Sequence, residues 1–174
     1  MSDRALALST LAACVAGAVL PAAASANFPG QNGRIVFGVH EYDRKASFFS
    51  LTPGALYTVF ADGSGATALA DDPDYNDFEA AWSPDGQRLA YASLYGDGKY
   101  DGIYVGTPDA ETPKLIAKGV QVDTPAWSPD GGTVMYTDGT KGLMAVPADG
   151  SAAPRVIVKR VKGWQMVGAT FSAD

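Results

Sequence analysis

Short alternating stretches of apolar and polar residues recur in the same order along most of this chain. Each recurrence has a first stretch, a loop, a second stretch, a turn and a third stretch. They fall at residues 34–39, 55–60 and 67–70, then 88–93, 102–106 and 114–117, then 133–137, 142–146 and 155–158. β-Branched and aromatic residues dominate them, and Gly, Pro and Asp separate them, which is typical of strands joined by tight turns. No helical periodicity persists over three turns beyond residue 26, so the pattern predicts an all-β fold.

The hexapeptide AWSPDG precedes two of these recurrences, at residues 81–86 and 126–131. Pro suits the second position of a β-turn, Asp bonds back to the backbone, and Gly accepts a positive φ. The Trp ahead of the turn is a large apolar group that can pack one sheet against the next. We therefore interpret the string as the first hairpin of each structural unit. Its residues are Trp82, Ser83, Pro84, Asp85 and Gly86 in one copy, and Trp127, Ser128, Pro129, Asp130 and Gly131 in the other.

Two weaker copies extend the repeat in both directions. One starts at Phe28, 54 positions before Trp82, and one starts at Phe171, 44 positions after Trp127. With the segment that ends in the aromatic residue included, each period predicts four short strands. Four antiparallel strands every ~45 residues describe the blade of a β-propeller. We expect a partial β-propeller of about three four-stranded antiparallel blades. They would span residues 27–81, 82–126 and 127–170, with 171–174 opening a further motif.

The Trp-Ser-Pro-Asp-Gly turn, the alternating strand that ends in Tyr, the Ile-Tyr-Val strand and the Asp-Gly turn together resemble the TolB-type β-propeller repeat. The resemblance covers residues 28–174. It implies one blade per copy and usually six or more blades in a ring. Similar blades form the gating propeller of prolyl-oligopeptidase-like peptidases. The sequence contains neither the α/β domain that precedes the TolB propeller nor the Gly-x-Ser-x-Gly elbow of those peptidases. The resemblance therefore supports the fold more strongly than either activity.

Three periods are fewer than the four to eight blades that close a propeller. An open arc would expose strand edges and the apolar face of a sheet. Two hypotheses account for this. The favoured one is that the chain is a truncated member of the family. The other is self-association, in which two half-rings close one ring.

The first 26 residues have the features of a signal peptide. Arg4 precedes an apolar run at residues 5–20, and Pro21 and Ala24-Ser25-Ala26 follow it. We expect cleavage before Asn27 and export to the periplasm or the cell exterior. The run is short for a membrane span, so no span is expected in the mature chain. Leu11-Ala12-Ala13-Cys14 resembles a lipobox, which leaves a lipoprotein as the alternative. Cys14 is the only cysteine, so the mature chain has no disulfide.

Composition narrows the classes of partner. The chain is 47% hydrophobic and 18% charged, which is typical of a globular protein. Its net charge of -6 argues against nucleic acid, because phosphates require a basic face. A protein partner or a polysaccharide remains compatible with this composition.

Loop positions indicate where a binding surface would lie. Strands of a blade alternate in direction, so the AWSPDG turns emerge on one face of the ring and the longer loops on the other. Loops carry function more often than strands, and aromatics mixed with charges are typical of recognition surfaces. Solvated loops without a ligand are the alternative. The candidate binding residues are Tyr42, Arg44, Phe48, Phe49, Tyr75, Tyr95, Lys99 and Tyr100.

One loop is rich in carboxylates, with five in residues 71–79. Clustered carboxylate oxygens can hold Ca²⁺, which makes Asp72, Asp74 and Asp77 a candidate calcium site. The spacing does not match the twelve-residue EF-hand loop, so an ordinary acidic connector is the stronger interpretation. We expect no other cofactor.

No catalytic residue is predicted. His40 is the only histidine, and no Ser-His-Asp arrangement can be argued from the spacing. The function expected is therefore that of an exported, non-enzymatic TolB-like propeller that binds or scaffolds proteins. The first alternative is a hydrolase, either peptidase-like or carbohydrate-active, whose catalytic region is missing. A carbohydrate- or calcium-binding module is the second.

Overall fold

The structure, a computed structural model, describes residues 33–40, 54–69, 75–95, 101–109 and 112–172, with the backbone alone at residues 40, 75, 76 and 95. These residues form eleven strands and no helix. The strands are β1 (Arg34–His40), β2 (Gly54–Phe60), β3 (Thr67–Ala68), β4 (Tyr75–Trp82), β5 (Leu89–Tyr95), β6 (Gly102–Gly106), β7 (Lys114–Lys118), β8 (Val122–Trp127), β9 (Thr133–Asp138), β10 (Gly142–Pro147) and β11 (Arg155–Lys159). The predicted all-β fold is confirmed. The nine predicted stretches agree with nine strands to within two residues at each end.

The strands form three antiparallel sheets, each a meander in which consecutive strands are neighbours. The first sheet is β1-β2-β3, the second is β4-β5-β6-β7 and the third is β8-β9-β10-β11. The second and third sheets contain the expected four strands. The AWSPDG tryptophans are the last residues of β4 and β8, at equivalent positions of these two sheets. A sequence repeat that is counted from the tryptophan therefore begins at the last residue of the first strand of its sheet, β4 or β8.

The opening strands β4 and β8 share a bulge at the same repeat position. The pairing of β4 with β5 shifts register between Phe78 and Ala81, and β8 with β9 between Asp123 and Ala126. Inside each bulge one residue that is not glycine has a positive φ, 51° at Glu79 and 46° at Thr124. A bulge bends the strand and increases its twist. Its recurrence shows that the repeat extends to backbone conformation.

A first layer of the core lies between the first and second sheets. Leu56 of the first sheet packs with Leu89, Tyr91 and Tyr104 of the second. Tyr91 and Tyr104 stack with ring centroids 5.8 Å apart. Val36 packs partly buried against the same cluster. Alternation along β1 therefore turns Val36 toward the second sheet and its neighbours on the strand away from it.

The larger layer lies between the second and third sheets. Ile103 and Ala90 of the second sheet and Val134 and Tyr136 of the third have no exposed surface. Trp127 joins the same cluster and is 8% exposed. Face-to-face burial of this kind holds stacked sheets together, because apolar area removed from water is the main favourable term in folding.

Strand β6 of the second sheet and strand β10 of the third sheet each begin with a glycine, because the backbone of the next strand approaches closely there. A Cβ on Gly102 would collide with the carbonyl oxygen of Ala117, and one on Gly142 with that of Val158. Gly142 also has a φ of 113°, which L side chains rarely adopt. The close pairing of β6 with β7 and of β10 with β11 therefore requires a residue without a side chain at this position.

Candidate functional site

The two AWSPDG copies form the same hydrogen-bonded turn. The Ser83 hydroxyl accepts from the backbone N–H of Arg88 at 2.9 Å and donates to the carboxylate of Asp85. Gly86 completes the turn with a φ of 68°. The second copy repeats these contacts with Ser128, Thr133, Asp130 and Gly131. Pro84 and Pro129 are exposed at the outside of their turns.

The turn carboxylates are held in the charged state. The pKa of Asp85 and that of Asp130 lie below their ordinary value because each accepts a hydrogen bond from its turn serine and another from a backbone N–H. Both serines are buried and bonded on both sides, and no histidine lies among the residues of these turns. The arrangement supports the turn and offers no activated nucleophile.

Successive turns interlock through Arg88. Its guanidinium donates to the carbonyl oxygen of Gly131 at 3.1 Å and lies 4.7 Å from the ring centroid of Trp127. The indole N–H of Trp127 in turn donates to the carbonyl oxygen of Ala81 at 3.0 Å. Cation–π and hydrogen-bond contacts therefore join the second and third sheets at their motif turns.

Replacing Ser128 by Ala is expected to lower the free energy of unfolding by about 1–3 kcal/mol. The substitution leaves the backbone N–H of Thr133 without its acceptor in a part-buried turn. The exposed Ser151 provides a matched control, and Ser151→Ala should change stability by no more than about 0.5 kcal/mol. Urea unfolding followed by circular dichroism measures both. Equal effects of the two substitutions would contradict a structural role of the motif serine.

The loops on the opposite side of the sheets are also joined by hydrogen bonds. The Gly119 N–H donates to the carbonyl oxygen of Asp101 at 3.3 Å, and the Gly139 N–H donates to that of Val120 at 3.0 Å. The chain after β11 also contacts the turn 139–141, through a backbone bond of 2.9 Å. These contacts define one surface, which we name the link face. It consists of residues 101, 118–121, 138–141 and 160–164.

The link face exposes large apolar side chains. Val120 is 55% exposed, Val161 is 56% exposed and Trp164 is 72% exposed. Val120 and Trp164 occupy the same repeat position, 44 residues apart, in successive links. Exposed cations accompany them in the same segments. We name the whole set the link-face patch, and its members are Lys118, Val120, Lys141, Arg160, Val161, Lys162 and Trp164.

A buried carboxylate, Asp138, organises the turn that supports this patch. One carboxylate oxygen accepts from the Thr140 N–H at 2.8 Å, the Thr140 hydroxyl at 2.6 Å and the Lys141 N–H at 2.9 Å. The other lies 3.4 Å from Lys141 Nζ. Burial by itself raises the pKa of Asp138, but the bonds from Thr140 and Lys141 outweigh it and hold that pKa below its ordinary value. The nearby Tyr136 is buried, and burial together with the Asp138 charge raises its pKa to about 12.

The predicted binding residues fall largely outside the described part of the chain. Tyr42, Arg44, Phe48, Phe49, Lys99 and Tyr100 lie outside the described residues, as do Asp72 and Asp74. Tyr75 and Tyr95 are backbone partners at the end of the β4–β5 pair. The patch residues were not among the sequence candidates. The sequence feature that could have identified Trp164 is an aromatic residue in a connecting segment rich in Lys and Arg.

Asp77 is buried rather than exposed on a loop. It is 6% exposed, and its backbone pairs with Ser93. Its side chain lines a cavity of about 20 Å³ between Leu56, Leu89 and Tyr91. A space of this size holds about one water molecule, so it is too small for an organic ligand. Within the described ranges no three His, Cys, Asp or Glu residues come together as metal ligands.

Comparisons with known proteins identify the fold. No protein-family model and no curated protein sequence matches the chain. TolB from Acinetobacter baumannii is similar in structure, with a TM-score of 0.57 and 22% identity over 76% of this chain and 32% of TolB. An oligogalacturonate lyase in complex with manganese has a TM-score of 0.55 and 13% identity, over 80% of this chain and 37% of the lyase. A nidogen/laminin complex has a TM-score of 0.54 and 13% identity, over 75% of this chain and 46% of that one.

The chain thus spans less than half the length of each of these structures. At sequence identities of 13–22%, the structural similarity establishes the fold and nothing about function. No helix of the described ranges has the length and apolar character needed to cross a membrane. The three meandering sheets, the tryptophan-led turn repeated in the second and third of them and the structural similarity to TolB show that this chain has the fold of a TolB-like β-propeller.

Proposed function

We propose that this protein is an exported TolB-like propeller that binds another protein through the link-face patch. The observation that carries the proposal is the exposure of Trp164, at 72%, in a link-face segment that also exposes Val161, while the preceding link exposes Val120. Tryptophan is among the residues most enriched in binding hot spots, because it buries a large rigid surface on contact. Apolar side chains grouped on one surface are also a mark of interaction sites.

The charge of the patch indicates the chemistry of the partner. Lys141, Arg160 and Lys162 are exposed in the segments of the link face, although the whole chain has a net charge of -6. The Asp138 carboxylate on the same face is buried and engaged by Lys141. A partner segment that combines acidic residues with an apolar anchor would complement this surface.

Export is supported by the leader sequence, and the TolB-like fold supports a binding role. A propeller built from repeated sheets leaves its loops free for recognition. The motif turns point the other way and bond to one another, so they offer no comparable surface. A scaffold that presents the link face outside the cytoplasm agrees with all of these features.

The proposal predicts that binding depends on Trp164. We would photo-crosslink the full-length protein to an envelope extract of the cells that produce it, and identify the captured protein by mass. Trp164→Ala should reduce capture by about tenfold or more, because a hot-spot aromatic contributes about 2 kcal/mol. Gln87→Ala, on the exposed motif turn, is the control and should capture as well as the native protein.

Equal capture by the Trp164→Ala variant would show that the link-face patch is not the binding surface. Capture that survives Lys162→Glu but not Trp164→Ala would contradict the acidic partner and retain the apolar contact. The mass of the purified protein also reports the leader, since the proposed cleavage leaves Asn27 as the first residue.

A further inference from the structure

The chain contains three Lys-Gly dipeptides, and all three lie at the link face. They are Lys118–Gly119, Lys141–Gly142 and Lys162–Gly163. The two residue types are the same at each bond, so a large difference in accessibility between the bonds must come from the fold. The structure places the first two in closed surroundings and the third in open ones.

The first two dipeptides are enclosed by neighbouring groups. A Cβ on Gly119 would collide with the side chain of Val122. Gly142 is buried, and a Cβ there would collide with the backbone of β11. The carbonyl oxygen of Lys141 accepts the backbone N–H of Arg160 at 2.9 Å. A protease could reach either bond only after the edge of a sheet had opened, and such openings are rare.

The third dipeptide forms the tip of an open turn. The Trp164 N–H donates to the carbonyl oxygen of Val161 at 3.1 Å, which makes Lys162 and Gly163 the two central residues. Gly163 has a φ of 83°, as the third residue of a type II turn does. Apart from its chain neighbours, no described atom lies within 4 Å of where a Cβ on Gly163 would be. Exposed loop tips are preferred sites of proteolytic nicking.

Little structure has to open before this turn could enter a protease. Strand β11 ends at Lys159, and residues 160–165 are exposed and belong to no strand. Among the described residues, backbone hydrogen bonds hold this stretch at Arg160 and at Trp164. Trp164 is already 72% exposed, so opening uncovers little further apolar surface. Cleavage follows the population of the open form when opening is fast, and that population is larger where few contacts break.

The charge of the segment suits an enzyme that cleaves after basic residues. Arg155, Lys159, Arg160 and Lys162 are all exposed, and no Asp or Glu occurs in residues 150–173. Endoproteases of this specificity hold the basic side chain in an anionic pocket. A segment of uniform positive charge is attracted to such a cleft.

We propose that the Lys162–Gly163 bond is a cleavage site for an endoprotease specific for basic residues, and that the cut switches off the link-face patch. Hydrolysis breaks the C–N bond of this peptide. One water molecule supplies the hydroxyl of the new Lys162 carboxyl group and a hydrogen of the new Gly163 amine. The regulatory part of this inference rests on the proposed function, whereas the cleavage site does not.

The cut changes the patch in two ways. Trp164 becomes the second residue of a new N-terminus and loses its covalent link to β11. A partner must then order a free chain end on binding, which weakens the complex. The new carboxylate on Lys162 also adds negative charge to a patch that attracts acidic groups.

The first test is limited digestion of the full-length protein with trypsin, followed by mass spectrometry of the products over time. Each rate is divided by that of a synthetic peptide with the same local sequence, which removes the effect of neighbouring residues. Cleavage after Lys162 should then be at least about tenfold faster than cleavage after Lys118 or Lys141. Lys162→Gln should abolish this product alone. Similar corrected rates at the three Lys-Gly bonds would overturn the cleavage site.

The second test measures regulation. Native protein isolated after the cut at Lys162, with the trypsin inhibited, enters the crosslinking capture beside uncut protein. Capture should fall by about tenfold, as for Trp164→Ala. Lys162→Gln treated with trypsin should capture as much as the same variant without treatment. Equal capture by cut and uncut native protein would overturn the regulation and leave the proposed binding surface intact. Uncut protein whose capture does not depend on Trp164 would instead reject the proposed function, while the digestion result would be unaffected.

Discussion

Replacing Trp127 by Ala is expected to lower the free energy of unfolding by about 3–5 kcal/mol, the range for large-to-small changes in a core. The side chain is 8% exposed and belongs to the core between the second and third sheets. Its removal leaves a cavity and also deprives the Arg88 guanidinium of its ring, 4.7 Å away. The Ala81 carbonyl oxygen loses its indole donor as well. Several contacts between the two sheets are lost together, so the effect should be large.

Two matched variants separate these contributions. Trp127→Phe retains most of the apolar volume and loses the hydrogen bond, so it should lose about 1–2 kcal/mol. Trp164→Ala changes the same residue type at 72% exposure and should alter stability by about 0.5 kcal/mol or less. Urea unfolding midpoints measure all three. If Trp164→Ala destabilises as much as Trp127→Ala, the assignment of core and surface tryptophans is wrong.

Replacing Asp138 by Ala is expected to lower the free energy of unfolding by about 2–4 kcal/mol. The carboxylate accepts three hydrogen bonds, two of them from the backbone N–H groups of Thr140 and Lys141. Without it those groups lose their acceptor beneath the link face. Lys141 is half exposed, so water compensates much of the lost ion pair. The exposed Asp149 is the control, and Asp149→Ala should have an effect of about 1 kcal/mol or less.

The effect of Asp138 should also depend on pH. Its folded-state pKa lies below the ordinary value of 3.8, so the folded state favours the charged carboxylate. This stabilisation is present above the ordinary pKa and is lost as pH falls through the folded pKa. The stability difference between the native protein and Asp138→Asn should therefore be constant near pH 7 and shrink below about pH 4. A difference that grows on acidification would contradict the assignment.

Much of the fold could be predicted from local sequence signals. The two-residue period located nine strands, and the Ser-Pro-Asp-Gly strings located the turns after β4 and β8. These signals suffice because side-chain alternation and turn conformation depend on residues adjacent in sequence. The opening strands were less visible. In β8 the bulge at Thr124 interrupts the alternation, which hides the strand from a simple periodicity count.

The candidate site was less predictable than the fold. Composition favoured loops rich in aromatic residues as the binding surface. Most of the residues in those loops lie outside the described part of the chain. Trp164 became a candidate only through its exposure, while Trp127 of the same residue type is core. Asp77 was a candidate loop carboxylate and is instead buried between sheets. Exposure depends on which sheets stack together, and no local pattern encodes that.

By itself the sequence determined the repeating unit, which consists of short antiparallel strands and, in its two full copies, a tryptophan followed by a Ser-Pro-Asp-Gly turn. Each of these depends on contacts between near neighbours in the chain, which residue type and spacing specify directly. Only the tertiary structure decided that Arg88 reaches the next turn and that Asp138 is buried. Those features depend on the stacking of distant segments, because packing between sheets sets which groups lose water.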